Sequence, residues 1–294
     1  MNGIINVLKP PGMSSSGVVV FLKRLLNIKK IGHTGTLDPG AAGVLVICLN
    51  RATRLFDIFM DEEKEYIAEI KFGISTDTQD LYGYITGSSE AIAGENQLLD
   101  ILPKFTGEIE QITPIYSAAK QQGKPLYSLA RQGLDIREKK RLVTISGIEY
   151  LGKTGHNRFL LSVKCSKGTY IRTLISDIGE KIGIPSVMSF LLRTKSGEFY
   201  LDKAYTIDEL KGLASEKRIQ DAVIKPEDAL LKFRAVNVTK SEAAKLKNGC
   251  TIVFSGYTES ERVRVFCDGS FLGLADAVDG NLKIIIHLGE VEDN

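Results

Sequence analysis

The stretch Gly32-His33-Thr34-Gly35-Thr36-Leu37-Asp38-Pro39-Gly40-Ala41-Ala42-Gly43-Val44-Leu45-Val46-Ile47-Cys48-Leu49 joins two textures that cannot share one element. Its first half holds glycines, a proline and no hydrophobic periodicity, which is the composition of a loop. Its second half, Val44–Leu49, is a continuous apolar run with β-branched residues, the pattern of a strand buried on both faces. Asp38 therefore stands between Leu37 and Pro39 at the threshold of the core. An Asp-Pro pair often does no more than start a turn. A carboxylate at this place is also partly desolvated, and needs a cation or backbone N–H groups to remain ionised.

On the N-terminal side, Ile4–Leu8 reads as a short strand stopped by Lys9-Pro10-Pro11-Gly12. A helix follows, capped by the hydroxyls of Ser14–Ser16, with Val18, Val19, Leu22, Leu25 and Leu26 at helical spacing. On the C-terminal side, Lys64–Phe72 alternates strictly, placing Tyr66, Ala68, Ile70 and Phe72 on one face. Phe159–Cys165 is a further strand. It ends at Ser166-Lys167-Gly168, after which Thr169 is the expected N-cap of a helix whose stripe is Ile171, Leu174, Ile175 and Ile178 and whose stop is Gly183.

Strands and helices mix without a βαβ rhythm, so the predicted class is α+β, with a central mixed or antiparallel sheet flanked by helices. Texture changes near Lys225–Phe233, and the division expected is a first domain over 1–232 and a small β-rich one over 233–294. In the latter, Asp268-Gly269 and Asp279-Gly280 lie between apolar runs and signal hairpins.

The 294 residues suffice for a large core, and 43% hydrophobic with 25% charged residues is a soluble globular balance. No apolar run approaches bilayer length and no secretory signal opens the chain, so a cytoplasmic protein without a membrane partner is expected. Cys48, Cys165, Cys250 and Cys267 are far apart and only three histidines occur, which offers no metal-ligand cluster. The net charge of +2 hides an uneven distribution: residues 1–60 carry +5, 61–120 carry −8, 121–200 carry +8 and 201–294 carry −3. Two basic blocks around an acidic one permit a basic face, a weak pointer to nucleic acid.

Neither a G-x-x-x-x-G-K-[ST] phosphate loop nor a G-x-G-x-x-G fingerprint is present, and no G-x-S-x-G elbow supports a hydrolase. The 32–45 stretch, read as G-H-T-G-x-L-D-P-x-A-x-G-V-L, instead resembles the active-site motif of the TruB family of tRNA pseudouridine-55 synthases. Other motifs follow in the same order over about the first two hundred residues: Lys9-Pro10-x-Gly12; Lys64-Glu65-Tyr66; Thr76-Asp77-Thr78-x-Asp80-x-x-Gly83; Pro114 through Gly133; Cys165 through Arg172; and Leu191-x-Arg193-Thr194. Small departures are Ser14 where threonine is usual, Thr113 for a common proline and Leu192 for a frequent arginine.

The resemblance implies an enzyme without cofactor or metal that breaks the N1–C1′ bond of a flipped uridine in the T-loop of tRNA and rejoins the base through C5. It makes Asp38 the catalytic carboxylate, attacking the sugar directly or through a glycal route. Arg172 becomes its partner, whose planar fork favours the ionised carboxylate. Tyr66, Tyr170 and Leu191 would line the uracil pocket, and His33 would fill the space the extruded nucleotides leave. RNA contacts are expected from Lys9 and from the basic segment of about 113–141, namely Lys124, Arg131 and Arg141. The 233–294 unit resembles the PUA-type RNA-binding module of the family, and a monomer is expected. Competing expectations are an RNA-folding chaperone with a vestigial pocket, and a related synthase acting on another RNA.

Overall fold

The computed structural model describes residues 1–117, 119–132, 134, 137, 139–254 and 260–289. Its centre is a nine-stranded sheet, mixed but mainly antiparallel, in the order Gly3–Lys9, Ala42–Leu49, Ser186–Ser196, Lys64–Phe72, Arg158–Cys165, Lys140–Gly155, Gly107–Ile112, with short strands Ile31–His33 and Phe199–Tyr200 added at its side. Among the described residues, its one parallel strand pairing is that of Ala42–Leu49 with Ser186–Ser196. A five-stranded, mostly antiparallel sheet follows over Arg234–His287. The α+β class with a β-rich C-terminal unit is thus the observed architecture.

The apolar run of Ala42–Leu49 is buried on both faces, as its composition requires. Leu45, Ile47 and Leu49 pack with Val18 and Leu22 of the helix Ser15–Leu25. Val44, Val46 and Cys48 pack instead with Leu274 and Leu288 of the C-terminal unit. The alternating face of Lys64–Phe72 meets Leu174, Ile175 and Ile178 of the helix Ile171–Ile182. Desolvation of these faces is the main force holding the layers.

Ser14 caps its helix through the Gly17 N–H at 3.0 Å, and Gly183 ends the later helix in the left-handed region, φ 84°. Both Asp-Gly pairs have positive φ at each residue, 47° and 74°, then 48° and 71°. That is the geometry of two-residue hairpin turns.

Two local expectations are corrected. Thr169 is not the N-cap: Tyr170 holds that position without a side-chain cap, because the Thr169 hydroxyl turns back to the Ser166 carbonyl at 2.9 Å. The glycine-rich loop also begins one element later than expected, since Ile31–His33 pairs with Ile47–Leu49 as a strand. Backbone bonding to a buried neighbour overrides the weak local preference there.

Gly43 is where the sheet admits no side chain. Its φ is +116°, and a Cβ would stand 2.2 Å from the Arg193 carbonyl oxygen across the parallel pairing. Gly43→Ala should cost roughly 3 kcal/mol of stability, read as a lower urea midpoint with unchanged slope. A midpoint equal to wild type would show that this close approach is not a constraint.

Candidate active site

Asp38 lies on the loop between Ile31–His33 and Ala42–Leu49, and that loop is pinned from beneath. The Ser15 hydroxyl bonds the Leu37 N–H and carbonyl at 2.8 and 3.0 Å, the Gly12 N–H donates to the Pro39 carbonyl at 2.8 Å, and the Ala41 N–H closes onto the Asp38 carbonyl at 3.0 Å. Lys9 completes the support. Its ammonium donates to the carbonyls of Pro10, Pro39 and Ala41 at 2.9, 3.3 and 2.6 Å.

This corrects the expectation that Lys9 contacts RNA. Its side chain is fully buried, and its charge is spent on the loop carbonyls of Pro10, Pro39 and Ala41. Burial lowers the Lys9 pKa to about 8, against the opposing attraction of Asp38.

Arg172, at the start of its helix and only 4% exposed, reaches Asp38 with Nε at 2.8 Å from Oδ2 and Nη2 at 3.4 Å from Oδ1. Nη1 donates to the Thr78 carbonyl at 2.7 Å and Nη2 also to that of Tyr116 at 2.9 Å. The guanidinium is therefore held by three chain segments, while the Asp38 carboxylate stays 35% exposed toward the cleft. A half-open carboxylate fixed from behind can act on a ligand without reorienting.

The cleft encloses about 610 Å³, and its lining brings together Asp38, Tyr66, Arg141, Tyr170, Arg172 and Leu191. The Tyr66 side chain is buried, which raises its pKa, and the neighbouring Arg193 charge opposes the rise. Tyr170 is held by a two-way amide clasp: its N–H donates to Gln111 Oε1 at 3.0 Å and its carbonyl accepts from Gln111 Nε2 at 3.2 Å. The Arg141 guanidinium stands 5.3 Å from the Tyr170 ring centre and donates to the Gly168 carbonyl at 3.2 Å. The segment after Thr113 leaves and rejoins the sheet at one point, where the Thr113 N–H meets the Lys139 carbonyl at 2.9 Å, and Ser117, Ala119 and Lys139 join the lining.

Two other expected residues stand apart. His33 is outside the lining, on the strand preceding Thr34, and burial together with Arg193 lowers its pKa. Lys124 is exposed on a two-stranded hairpin away from the lining. The side chain of Arg131 lies outside the described residues.

Sequence reasoning missed Gln111 and passed over Arg193 as a site residue. Gln111 is 1% exposed in a strand whose Glu108 and Glu110 point outward, so its inward position in an alternating run was the available signal.

Three family models cover the chain: TruB family pseudouridylate synthase (N terminal domain) over residues 23–171, tRNA pseudouridylate synthase B C-terminal domain over 172–232, and Pseudouridine synthase II TruB, C-terminal over 235–283. The chain belongs to the TruB family. Among its relatives in the family, a tRNA pseudouridine synthase B of Pelotomaculum thermopropionicum is 46% identical over 250 residues, covering 83% of this chain and 79% of that protein. Another, of Caldanaerobacter subterraneus, is 42% identical over 279 residues, covering 94% and 95%. Among solved structures, a chain in a Cbf5-Nop10-Gar1 complex superposes with a TM-score of 0.73 at 26% identity over 99% of this chain and 84% of its own.

Lys9→Met should weaken the Asp38 loop and lower stability. The folded state holds the Lys9 proton less tightly than the unfolded chain, whose lysine titrates near 10.5. Between pH 8 and 10.5 the unfolded chain binds more protons, so the wild type should gain stability relative to Lys9→Met as pH rises through that window. Denaturant melts of both proteins across the range check the sign, and a constant difference refutes it.

Proposed function

We propose that this protein isomerises uridine 55 in the T-loop of tRNA to pseudouridine, acting as a monomer and without cofactor. The observation that carries this reading is the Asp38–Arg172 pair, an exposed carboxylate held against a buried fork at the mouth of a cleft walled by Tyr66, Tyr170 and Leu191. The family membership and the printed names of its relatives, tRNA pseudouridine synthase B, support the same reaction and substrate.

In this reading a uridine inside a folded RNA loop exposes neither C1′ nor C5, so it must be extruded, and the pocket replaces the stacking that is lost. Tyr66 stacks on the base, Tyr170 and Leu191 confine it, and Asp38 meets the sugar at C1′ or takes the C2′ proton. Arg172 holds the carboxylate aimed at the cleft. His33 occupies the space the nucleotide leaves. Arg141, Lys124 and Arg131 follow the phosphates, and residues 233–294 serve as a PUA-like RNA-binding module beside the catalytic part over 1–232.

Asp38→Asn should reduce pseudouridine formation in transcribed tRNA by at least about 10⁴-fold while changing tRNA affinity by less than threefold. Normal turnover by this variant would remove Asp38 from the chemistry. Product in ribosomal but not transfer RNA would favour the other-substrate reading, and tRNA binding with no product in the wild type would favour the chaperone.

The basic segment makes a second forecast. Arg141→Ala should weaken tRNA binding and make the slope of log K against log salt shallower by about one unit, as expected for one lost phosphate contact. An unchanged slope would place Arg141 off the RNA path.

A further inference from the structure

Arg193 lines the cleft yet is only 2% exposed, and among the described residues no carboxylate stands within 4 Å of it. Its Nε donates to the Val44 carbonyl at 2.7 Å and its Nη2 to that of Gly35 at 3.1 Å. It lies directly across the strand pairing from Tyr66, and its charge opposes the rise that burial causes in the Tyr66 pKa. The charge reaches widely: burial lowers the pKa values of Lys9, His33 and Lys64, and Arg193 adds to each lowering.

Burying a cation without a counter-ion costs several kcal/mol, and the two carbonyl bonds that hold Arg193 would be made as well by a neutral donor. Neither packing nor those bonds therefore accounts for a full positive charge. Arg172 cannot substitute for it, because its three nitrogens are already committed to Asp38, Thr78 and Tyr116.

The isomerisation proposed above, on which this inference rests, creates the missing negative charge. The N1–C1′ bond breaks with its electron pair going to N1. This holds whether an Asp38 oxygen forms the new bond to C1′, or Asp38 takes the C2′ proton and the C2′–H electrons form a C1′=C2′ double bond. Either way the base detaches as an anion, its charge shared by N1, O2 and O4, until C5 bonds to C1′. We propose that Arg193, together with the hydroxyl of its cross-strand neighbour Tyr66, is the electrostatic floor that stabilises this detached uracil anion. Arg193 acts from beneath the surface, through its field and through Tyr66, and so is a positioning residue. Fixed dipoles and charges aimed at developing charge in a desolvated site have large effects on rate.

The test compares single-turnover cleavage of the N1–C1′ bond in tRNA carrying uridine or 5-fluorouridine at the target position. Fluorine at C5 stabilises the departing anion, so the 5-fluoro base needs less help from the enzyme. Arg193→Gln should slow uridine cleavage by about 10²–10³-fold, slow 5-fluorouridine cleavage by a factor roughly tenfold smaller, and leave tRNA affinity within threefold. Arg193→Lys, which keeps the charge, should recover part of the uridine rate. Should Arg193→Gln fail to fold, as judged by its melting temperature, Tyr66→Phe removes only the hydroxyl and should show the same selective loss, since the step measured precedes proton removal from C5. Equal slowing of both substrates, or a lysine variant no better than glutamine, would overturn the inference while leaving the functional reading intact. Wild-type protein inactive on both RNAs would sink the functional reading and this inference together.

Discussion

One ion pair organises the catalytic half of the molecule. Asp38 and Arg172 are 134 positions apart in sequence, so neither segment could place its charge without the sheet that separates them. The loop before Ala42–Leu49 brings the carboxylate to the sheet's edge, and the turn after Arg158–Cys165 brings the arginine to the first turn of its helix. Because the same guanidinium binds the carbonyls of Thr78 and Tyr116, the pair also gathers the hairpin after Lys64–Phe72 and the segment after Gly107–Ile112. Loss of that fork would release three segments at once. A lysine at this place lacks the planar donors needed to hold all of them.

Around the pair, buried cations outnumber carboxylates. Lys9, Lys64, Arg172 and Arg193 are each nearly inaccessible, whereas Asp38 is the acid that faces the same cleft. Burial lowers Lys9 and Lys64 to about 8. Such an excess is costly to folding, is met in part by the carbonyls that Lys9 and Lys64 bind, and suits a ligand that supplies negative charge. An RNA provides it twice, in its phosphates at the rim and in whatever charge the reaction develops at the floor. The two cation classes are correspondingly different: Arg141 and Lys139 line the cleft with their side chains open to solvent in part or in full, and Arg193 lies buried beside Tyr66 across the strand pairing.

Much of this was legible in the sequence. The doubly buried strand, the alternating strand of Tyr66, the helix stop at Gly183 and both Asp-Gly hairpins follow from period and turn chemistry, which act locally. Most of the residues that were misread depend on distant partners. Lys9 reads as a surface lysine in a Pro-rich turn, and only the folded loop reveals three carbonyls waiting for its ammonium. Arg193 sits in a strand where it pairs with Tyr66 on one side and Gly43 on the other, a convergence that no spacing within one segment encodes. Gln111 is similar, since its clasp on Tyr170 crosses 59 residues. Thr169 failed as a cap because a nearer carbonyl, that of Ser166, competes for its hydroxyl.

The C-terminal sheet is not a loosely tethered appendage. Leu274 and Leu288 enter the same core as Val44, Val46 and Cys48. Arg51 reaches the Gly289 carbonyl and Arg54 that of His287 at 2.6 Å, both from the turn that directly follows Leu49. The strand Ala42–Leu49 therefore has the Asp38 loop at one end and the anchor of the C-terminal unit at the other, about 25 Å apart at the rise of an extended chain. A strand buried on both faces and paired on both edges is among the stiffest elements a fold offers. The Asp38 loop and the seat of the C-terminal unit are thereby fixed relative to each other, so the doubly buried run of apolar residues after Asp38 sets their spacing as well as filling the core.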